Sequence, residues 1–391
     1  MTRNILLSSN SLVHNHNVSD TVRILHMYQS YPGRYASVAH VCQVMLLCKL
    51  RNQRLIISRA QEPNLLWSQP DDPARLFIFD VIAQACELTS FPAQNVKLIS
   101  ANILAEKCAQ DWFEQSPYTT MFDVVSYNHW IKSVSTVYPE VNCYTALEHK
   151  QRTRYFSCFN GTFRYHKWEV AQQMFLQGHF TELAGKSYQS FIFNELDADL
   201  PPGLTHTDLL NILPRNLEHN LPIHPNENRD IPHYKALNTP QYETAITDSY
   251  FDVVVDFHAM EDLGDTLYND IVANHPWWNE NIITEKVFKN FLCGRPFILI
   301  AEPGTLAYMR DELGFQTYDM IFDESYDNIQ DRRTRIAAVV QQVTDIVNTH
   351  SLSRLHDVIY SAKVQQVIDH NYRRFHEIAS QHISQLESLY Q

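Results

Sequence analysis

Short apolar runs alternate along this chain with longer segments in which apolar residues recur every three or four positions. Buried strands give the first pattern and amphipathic helices give the second. Strand-like runs begin at Asn4, Arg54, Arg75, Val96 and Phe122, and helical patterns begin at Tyr35 and Ala101. Because this alternation is typical of parallel sheets covered by helices, the sequence predicts an α/β fold.

A charged stretch without an apolar face, LEHKQRTR, interrupts the alternation between Leu147 and Arg154. Strand-like runs resume after it, at Tyr155, Ser187 and Phe251. A helical tail follows from about Arg332. Since 391 residues also exceed one typical domain, we predict two α/β domains, residues 1–150 and residues 151–391 with the tail.

The charge balance and the cysteine pattern narrow the class of protein. Asp and Glu number 44 against 31 Lys and Arg, and the net charge of −13 counts against a protein that wraps DNA. The seven cysteines are scattered and form no C-x-x-C pair, which indicates reduced thiols. The sequence shows neither an apolar leader nor a run of 18 apolar residues. We therefore expect a cytoplasmic protein without a membrane span.

The segment from Ile283 to Phe315 carries three of the nine glycines of the chain. A helix capped by Thr284 is predicted to end at Gly294, and a second helix is predicted to end at Gly314. Gly304 lies between them, at the carboxyl end of a predicted strand, where open α/β sheets bind ligands. A plain tight turn explains Gly304 equally well.

Lys286 stands in the first turn of the helix that Thr284 is predicted to cap. The amino end of a helix is positive, so a lysine there is unfavourable by roughly 0.3–1 kcal/mol. Exposed N–H groups, the helix dipole and a cation together form a phosphate site, and a bound anion would account for the lysine. A solvated lysine on an exposed helix face is the alternative, and charge alone favours it.

The segment IITEKVFKNFLCGRPFIL, which begins at Ile282, resembles the donor-binding block of α-1,3-fucosyltransferase-type glycosyltransferases. It is still more similar to a group of virus-borne glycosyltransferase-like proteins, whose block continues through a Pro-Gly turn, a G-F-x-T-[FY] step and a D-E-S-Y-D run. Those features stand here at Pro303–Gly304, Gly314–Tyr318 and Asp323–Asp327. A second segment, FNGTFRYHK from Phe159, resembles a family segment in which Asn and basic residues close a strand and open a helix.

The resemblance implies the GT-B architecture, in which two Rossmann-like domains face each other across a cleft and the C-terminal domain binds the donor. Thr284 then opens the T-E-K triplet. Glu285 would bind hydroxyls of the ribose or of the sugar, and Lys286 would meet the diphosphate. Gly304 would form the turn beside the donor.

The resemblance also implies that Arg164 approaches the donor phosphates, with His166 or Lys167 assisting. The leaving group in sugar transfer is a nucleoside diphosphate, whose charge grows as the glycosidic bond breaks. Fixed cations and helix N–H groups can stabilise that charge in place of a metal. We therefore expect no metal and no cofactor besides a nucleotide-diphosphate sugar as donor.

Three further motifs bear on the chemistry. Asp197 and Asp199 form a D-x-D, which holds a metal in other glycosyltransferases, but short acidic motifs are common and we interpret this one as surface charge. The run DESYD, Asp323–Asp327, is either an acidic loop by the donor or a capping and turn element, and we favour the second. His129 follows a predicted strand and is the candidate base for the acceptor hydroxyl.

The leading hypothesis is therefore a metal-independent glycosyltransferase that moves a sugar from a nucleotide-diphosphate sugar to a hydroxyl acceptor. A glycan, a small molecule or a modified DNA base could supply that hydroxyl. One alternative is a catalytically inactive protein that binds nucleotides or sugars on the same fold. Another is a DNA-modifying glycosyltransferase, which the net charge counts against. For a virus-borne protein, the expected location is the host cytoplasm.

Overall fold

The structure is a computed structural model of the chain. His129, Arg164, Asp197 and Asp199 lie outside the residues that it describes. The described residues are 13–17, 22–27, 38–59, 77–119, 121–128, 130–131, 134–135, 149–160, 165–180, 182–183, 185–191, 246–256, 274–275 and 281–389.

The first sheet contains five strands in the order β1-β2-β3-β4-β5. Strands β2 to β5 are parallel, and β1 pairs with β2 in the antiparallel direction. Leu55 pairs with Val96 in this sheet. The bounds are Val13–Asn17 (β1), Val22–Met27 (β2), Arg54–Arg59 (β3), Val96–Ser100 (β4) and Asp123–Ser126 (β5).

The second sheet contains four parallel strands in the order β7-β6-β8-β9. The chain moves from β6 to one side, to β7, and then returns to β8 on the other side. The strand order therefore reverses between β6 and β8, and ligands of open α/β sheets bind at the carboxyl ends of strands at such a point. The bounds are Arg154–Asn160 (β6), Ser187–Phe191 (β7), Ser249–Val255 (β8) and Phe297–Ile300 (β9).

Nine α-helices lie in the part of the chain that the structure describes. Five of them connect consecutive parallel strands, and three form the tail that the sequence predicts after Arg332. The bounds are Val38–Leu50 (α1), Ile78–Thr89 (α2), Ala105–Gln115 (α3), Tyr165–Leu176 (α4), Glu285–Leu292 (α5), Thr305–Asp311 (α6), Arg332–Thr349 (α7), Leu352–Ile359 (α8) and Ala362–Leu389 (α9). The predicted α/β class and the mainly parallel sheets are confirmed.

The chain divides into two compact units, each with one of the sheets. The predicted boundary between Leu147 and Arg154 stays a prediction, because residues 136–148 lie outside the described part. The first unit comprises residues 1–129, 265–282 and 384–391, and the second comprises residues 130–264 and 283–383.

The end of the charged stretch LEHKQRTR is anchored in the second unit. Arg152 is buried, and one of its terminal nitrogens donates to the carbonyl oxygens of Ile246 at 3.0 Å and Ser249 at 2.7 Å. The main-chain N–H of Thr153 donates to Asp248 at 2.9 Å. These contacts hold the entry of β6 against the entry of β8.

Helix α5 forms as its sequence predicts. Thr284 caps it, and the apolar face is buried, with Phe291 stacked on Phe315 at a ring distance of 4.1 Å. Gly294 ends the helix with φ at +62°, a left-handed conformation that glycine adopts without strain. The N–H of Arg295 then closes the turn on the carbonyl of Asn290 at 2.9 Å.

One predicted element is wrong. The run RLFIFDVI from Arg75 was expected to be a strand, but residues from Ile78 onward form helix α2. Asp80 accepts a hydrogen bond from the N–H of Phe77 at 3.3 Å and thereby caps the helix. Because every described side chain of the run except Asp80 is buried, its apolar pattern shows no exposed face, and periodicity cannot separate a buried helix from a buried strand.

Candidate functional site

The described donor-site candidates all follow carboxyl ends of strands in the second sheet. Two lie in the first turn of α4, after β6. Three lie at the start of α5, where its cap contacts Asp256, the residue after β8. One lies after β9. In chain order they are His166, Lys167, Thr284, Glu285, Lys286 and Gly304.

The amino end of α5 rests on a buried carboxylate. Asp256 is fully buried directly after β8 and accepts hydrogen bonds from the main-chain N–H of Thr284, at 2.9 Å, and from the Thr284 hydroxyl. Thr284 in turn accepts from the N–H of Lys286. The Lys286 ammonium lies 3.5 Å from an oxygen of Asp256. The lysine at the positive end of the helix thus has an anion beside it, and that anion belongs to the chain.

Asp256 changes how Lys286 is understood. The Lys286 side chain is 30 % exposed, so it is neither a fully solvated surface lysine nor a buried one. A donor diphosphate at this position would share the lysine with Asp256.

Glu285, which the resemblance assigns to a hydroxyl of the donor, is partly exposed in the first turn of α5. An acidic residue in that turn is favourable by about 0.3–1 kcal/mol through the helix dipole alone, so its position has a structural explanation too.

The first turn of α4 carries two buried polar side chains, His166 and Lys167. They lie close after Asn160, the last residue of β6, which is itself only 1 % exposed. The amide nitrogen of Asn160 contacts the sulfur of Cys158 at 3.5 Å, whereas its amide oxygen has no hydrogen-bond partner among the described residues. Buried acceptors normally have a partner, so this oxygen at the switch point is suited to a donor group on a ligand.

Gly304 makes the turn that precedes α6, with φ at +77°. Its N–H donates to the main-chain oxygen of Asp327 at 2.9 Å. The Asp327 carboxylate accepts from the N–H groups of Leu306 at 3.3 Å and Ala307 at 3.2 Å. The amino end of α6 therefore already holds an internal carboxylate, and the tight-turn role of Gly304 needs no ligand.

The same contacts confirm the capping interpretation of the run DESYD. Asp323 caps a short 3₁₀ helix, Glu324–Asn328, by accepting from the N–H of Ser325 at 2.9 Å. Tyr326 is buried, and its hydroxyl accepts from the N–H of Leu299 in β9 at 3.2 Å. Asp323 and Asp327 thus satisfy main-chain donors, as expected for a capping element, whereas Glu324 accepts from the hydroxyl of Thr317 at 2.8 Å.

A pocket lies between α5 and strand β8. It encloses about 440 Å³, open solvent included. Its charged lining residues in the described part of the chain are Asp252, Lys286, Lys289 and Arg295. Lys289, which lies one helical turn after Lys286 in α5, lines this pocket.

The metal and base predictions fall largely outside the described residues. The described residues contain no group of three or more His, Cys, Asp or Glu side chains that could hold a metal ion. Asp197, Asp199, His129 and Arg164 are not among them, so their predicted roles stay predictions. None of the described helices combines the length and the apolar character that crossing a membrane would require.

Comparison with models of known protein families gives no match, and no curated protein matches the chain. The functional conclusion therefore rests on the sequence resemblance and on the geometry of the second sheet.

Sequence reasoning missed Asp256, and it assigned Asp327 to a capping and turn element without giving its partners. Both carboxylates accept hydrogen bonds from residues 20 to 28 positions away, which no local pattern reveals. The position of Asp256 was the available signal, since an acidic residue directly after a buried strand lies where ligands and helix ends meet.

Proposed function

We propose that the chain is a glycosyltransferase of the GT-B type that uses a nucleotide-diphosphate sugar. One observation carries the proposal: the residues matched to the donor block follow carboxyl ends of strands in a single parallel sheet, beside its switch point. The T-E-K triplet opens a helix there, as the family pattern requires.

In this proposal Lys286 stabilises the diphosphate that leaves, and Glu285 holds a hydroxyl of the ribose or sugar. His166 and Lys167 supply further positive charge from the start of α4, and Arg164 is proposed to assist them. Fixed cations aimed at a growing negative charge lower the barrier without a metal. His129 stays the proposed base that accepts the proton of the acceptor hydroxyl.

Asn160 adds a contact that the resemblance did not assign. Its buried amide oxygen is an acceptor at the end of β6. A hydroxyl of the donor would satisfy it, and a ligand without that hydroxyl would leave it unpaired at a cost of about 1–3 kcal/mol. We therefore expect Asn160→Ala to reduce discrimination among donors.

A thermal-shift screen over nucleotide sugars tests the proposal, since a ligand bound only to the folded state raises stability by RT ln(1 + [L]/Kd). Calorimetry on two variants then locates the site. Lys286→Ala should weaken nucleoside diphosphates about ten- to hundredfold, through loss of one charge-assisted contact. Glu285→Ala should weaken nucleoside diphosphates but not inorganic pyrophosphate, because its proposed partner is a hydroxyl. Lys363→Ala, at the same position in α9, is the matched control.

Wild-type affinity in both the Lys286 and the Glu285 variants would show that the donor site is misassigned.

A second function is favoured by one contact: Asp256 partly neutralises Lys286, as expected in a protein that binds a nucleotide sugar without cleaving it. Donor hydrolysis separates the two functions. Binding with no detectable release of nucleoside diphosphate would favour the inactive binding protein.

A further inference from the structure

Helix α1 is apolar on almost every side, yet part of that apolar surface is exposed. A helix that is apolar all round is normally buried. In α1, however, Leu50 is 83 % exposed, and Leu88 of the neighbouring α2 is 68 % exposed. The exposed leucines of these two helices form the leucine face, which consists of Leu46, Leu47, Leu50 and Leu88. Neighbouring apolar side chains left in water are typical of an interaction surface.

Helices α1 and α2 lie side by side, which makes the leucine face continuous from one helix to the other. The ammonium of Lys49 donates to the carbonyl oxygen of Thr89 at 2.9 Å, and the sulfur of Cys86 lies 4.0 Å from that of Met45. These contacts bring the carboxyl ends of the two helices together, with Leu50 and Leu88 at the same end. The inner side of α1 is buried separately, through Val41, Val44, Met45 and Cys48.

The exposed residues of α1 have the spacing of a helix that pairs with another helix. Ala39, Gln43, Leu46 and Leu50 are all exposed, and they are separated by 4, 3 and 4 positions. Alternating steps of four and three keep one stripe of a helix against its partner. This spacing also reads the same in both directions. In an antiparallel pair of α1 helices, Ala39 therefore opposes Leu50 and Gln43 opposes Leu46, so a small residue meets a large one at each end.

The charges around the leucine face permit two copies to approach, although each chain carries a net charge of −13. Helix α1 contains no acidic residue, and its exposed charge is Lys49. The exposed charge of α2 is Glu87. Like charges that meet across an interface oppose association. Here one lysine and one glutamate balance each other, so the repulsion between two acidic chains is smallest at such a face.

We propose that the leucine face is an interface between two copies of this chain, in which the α1 helices pair antiparallel about a twofold axis. Each seam residue then contacts its counterpart twice, as a twofold interface requires. The interface does not depend on sugar transfer, because none of the donor-site candidates belongs to α1 or α2. A helix about 20 Å long and about 10 Å across covers less than the about 800 Å² per partner of a standard interface, so the dimer should dissociate in the micromolar range.

Sedimentation equilibrium of the full chain between about 1 and 100 µM tests the interface, because this range spans the expected dissociation constant. We expect a reversible equilibrium between monomer and dimer. Leu46→Glu should weaken the dimer at least about tenfold, since it places a carboxylate in the centre of the apolar seam. Leu176→Glu, the same change at an exposed leucine of α4, should leave the equilibrium unchanged. Both variants should keep the wild-type circular dichroism, because neither leucine is buried.

Mixing two variants tests the antiparallel register independently of how either variant folds. The proposal places position 43 of one copy against position 46 of the other. A mixture of the Gln43→Lys and Leu46→Glu proteins should therefore form a mixed dimer that is tighter than the dimer of Leu46→Glu alone, because the new lysine faces the new carboxylate. Parallel pairing would set position 43 against itself, and a mixture that associates no better than Leu46→Glu alone would overturn the arrangement.

Two results with the unmixed proteins would also overturn the proposal. The first is a wild-type chain that stays monomeric over the whole concentration range. The second is a dimer that Leu46→Glu leaves as tight as the wild type, which would place the interface elsewhere. Flotation with phosphatidylcholine vesicles examines the other occupant of an apolar face. A monomeric wild type that binds these vesicles, with binding lost in Leu46→Glu, would assign the leucine face to a lipid surface instead of a second copy.

Discussion

The contact between Lys286 and Asp256 predicts that removing the lysine destabilises the ligand-free protein. If Asp256 were absent, removing a cation from the positive end of a helix would stabilise the folded protein by roughly 0.3–1 kcal/mol. With Asp256 fully buried 3.5 Å away, Lys286→Met leaves a buried carboxylate with less compensation. Exposed ion pairs contribute up to about 1 kcal/mol, and breaking buried ones costs about 3–5 kcal/mol. Since the lysine is 30 % exposed, we expect a coupling of about 1–2 kcal/mol, discounted for solvent screening.

A double-mutant cycle isolates this coupling from the other effects of each change. Lys286→Met, Asp256→Asn and the double variant are unfolded in urea, and hydrogen exchange of the α5 amides reports the second unit separately. Asp256→Asn keeps hydrogen-bonding capacity beside Thr284 but removes the charge. Lys363 supplies the control, since it is also the second residue of its helix and is exposed. Lys363→Met should be neutral or slightly stabilising.

Equal effects of Lys286→Met in the wild-type protein and in the Asp256→Asn variant would refute this reasoning. The lysine would then be independent of the buried carboxylate, and its place at the helix start would again call for an external anion.

Three other outcomes follow from single sites. Burial lowers the pKa of His179 to about 4. As the pH falls from about 6.5 to about 4, the unfolded chain therefore binds a proton that the folded chain does not, and up to about 3 kcal/mol of the free energy of unfolding is lost. Urea titrations of His179→Gln should lack this pH dependence. The methyl group of Gly304→Ala meets no neighbouring atom, so only its left-handed φ should lower the free energy of unfolding, by about 1–2 kcal/mol, as in the control Gly185→Ala. An additional loss of donor affinity in calorimetry would show a ligand close to this turn. Donor turnover should survive chelation, and its loss with recovery on adding manganese would instead assign a metal to Asp197 and Asp199.

The sequence predicted the elements whose signals are local. Helix α5 is specified within a dozen residues by its cap, its apolar face and Gly294, and the structure agrees with each. The parallel strands β3 to β9 were predicted because fully buried strands produce continuous apolar runs, whereas the parallel strand β2 was missed. Strand β1, with the sequence VHNHN, was missed because its polar residues give no such run, although it pairs antiparallel with β2.

The parts that could not be predicted depend on contacts between distant residues. Asp256 reaches Thr284, and Asp327 reaches Ala307, only after the sheet has brought strand ends and helix starts together. The orientation of Lys289 has the same origin, because a helical wheel separates polar from apolar faces but does not show which polar side chains line a pocket. For these residues the sequence gives the charge of the side chain, whereas the fold determines which group that side chain contacts.

The two internal carboxylates also indicate where along this edge an anionic ligand would bind. At α6, Asp327 holds the main-chain N–H groups of Leu306 and Ala307, so a ligand there has to displace a carboxylate from the helix itself. At α5, Asp256 holds the capping residue Thr284, and a ligand competes with it for the ammonium of Lys286. Sharing a partly exposed lysine costs less than breaking two main-chain hydrogen bonds to a buried carboxylate. We therefore expect phosphate groups to bind beside α5 rather than at α6.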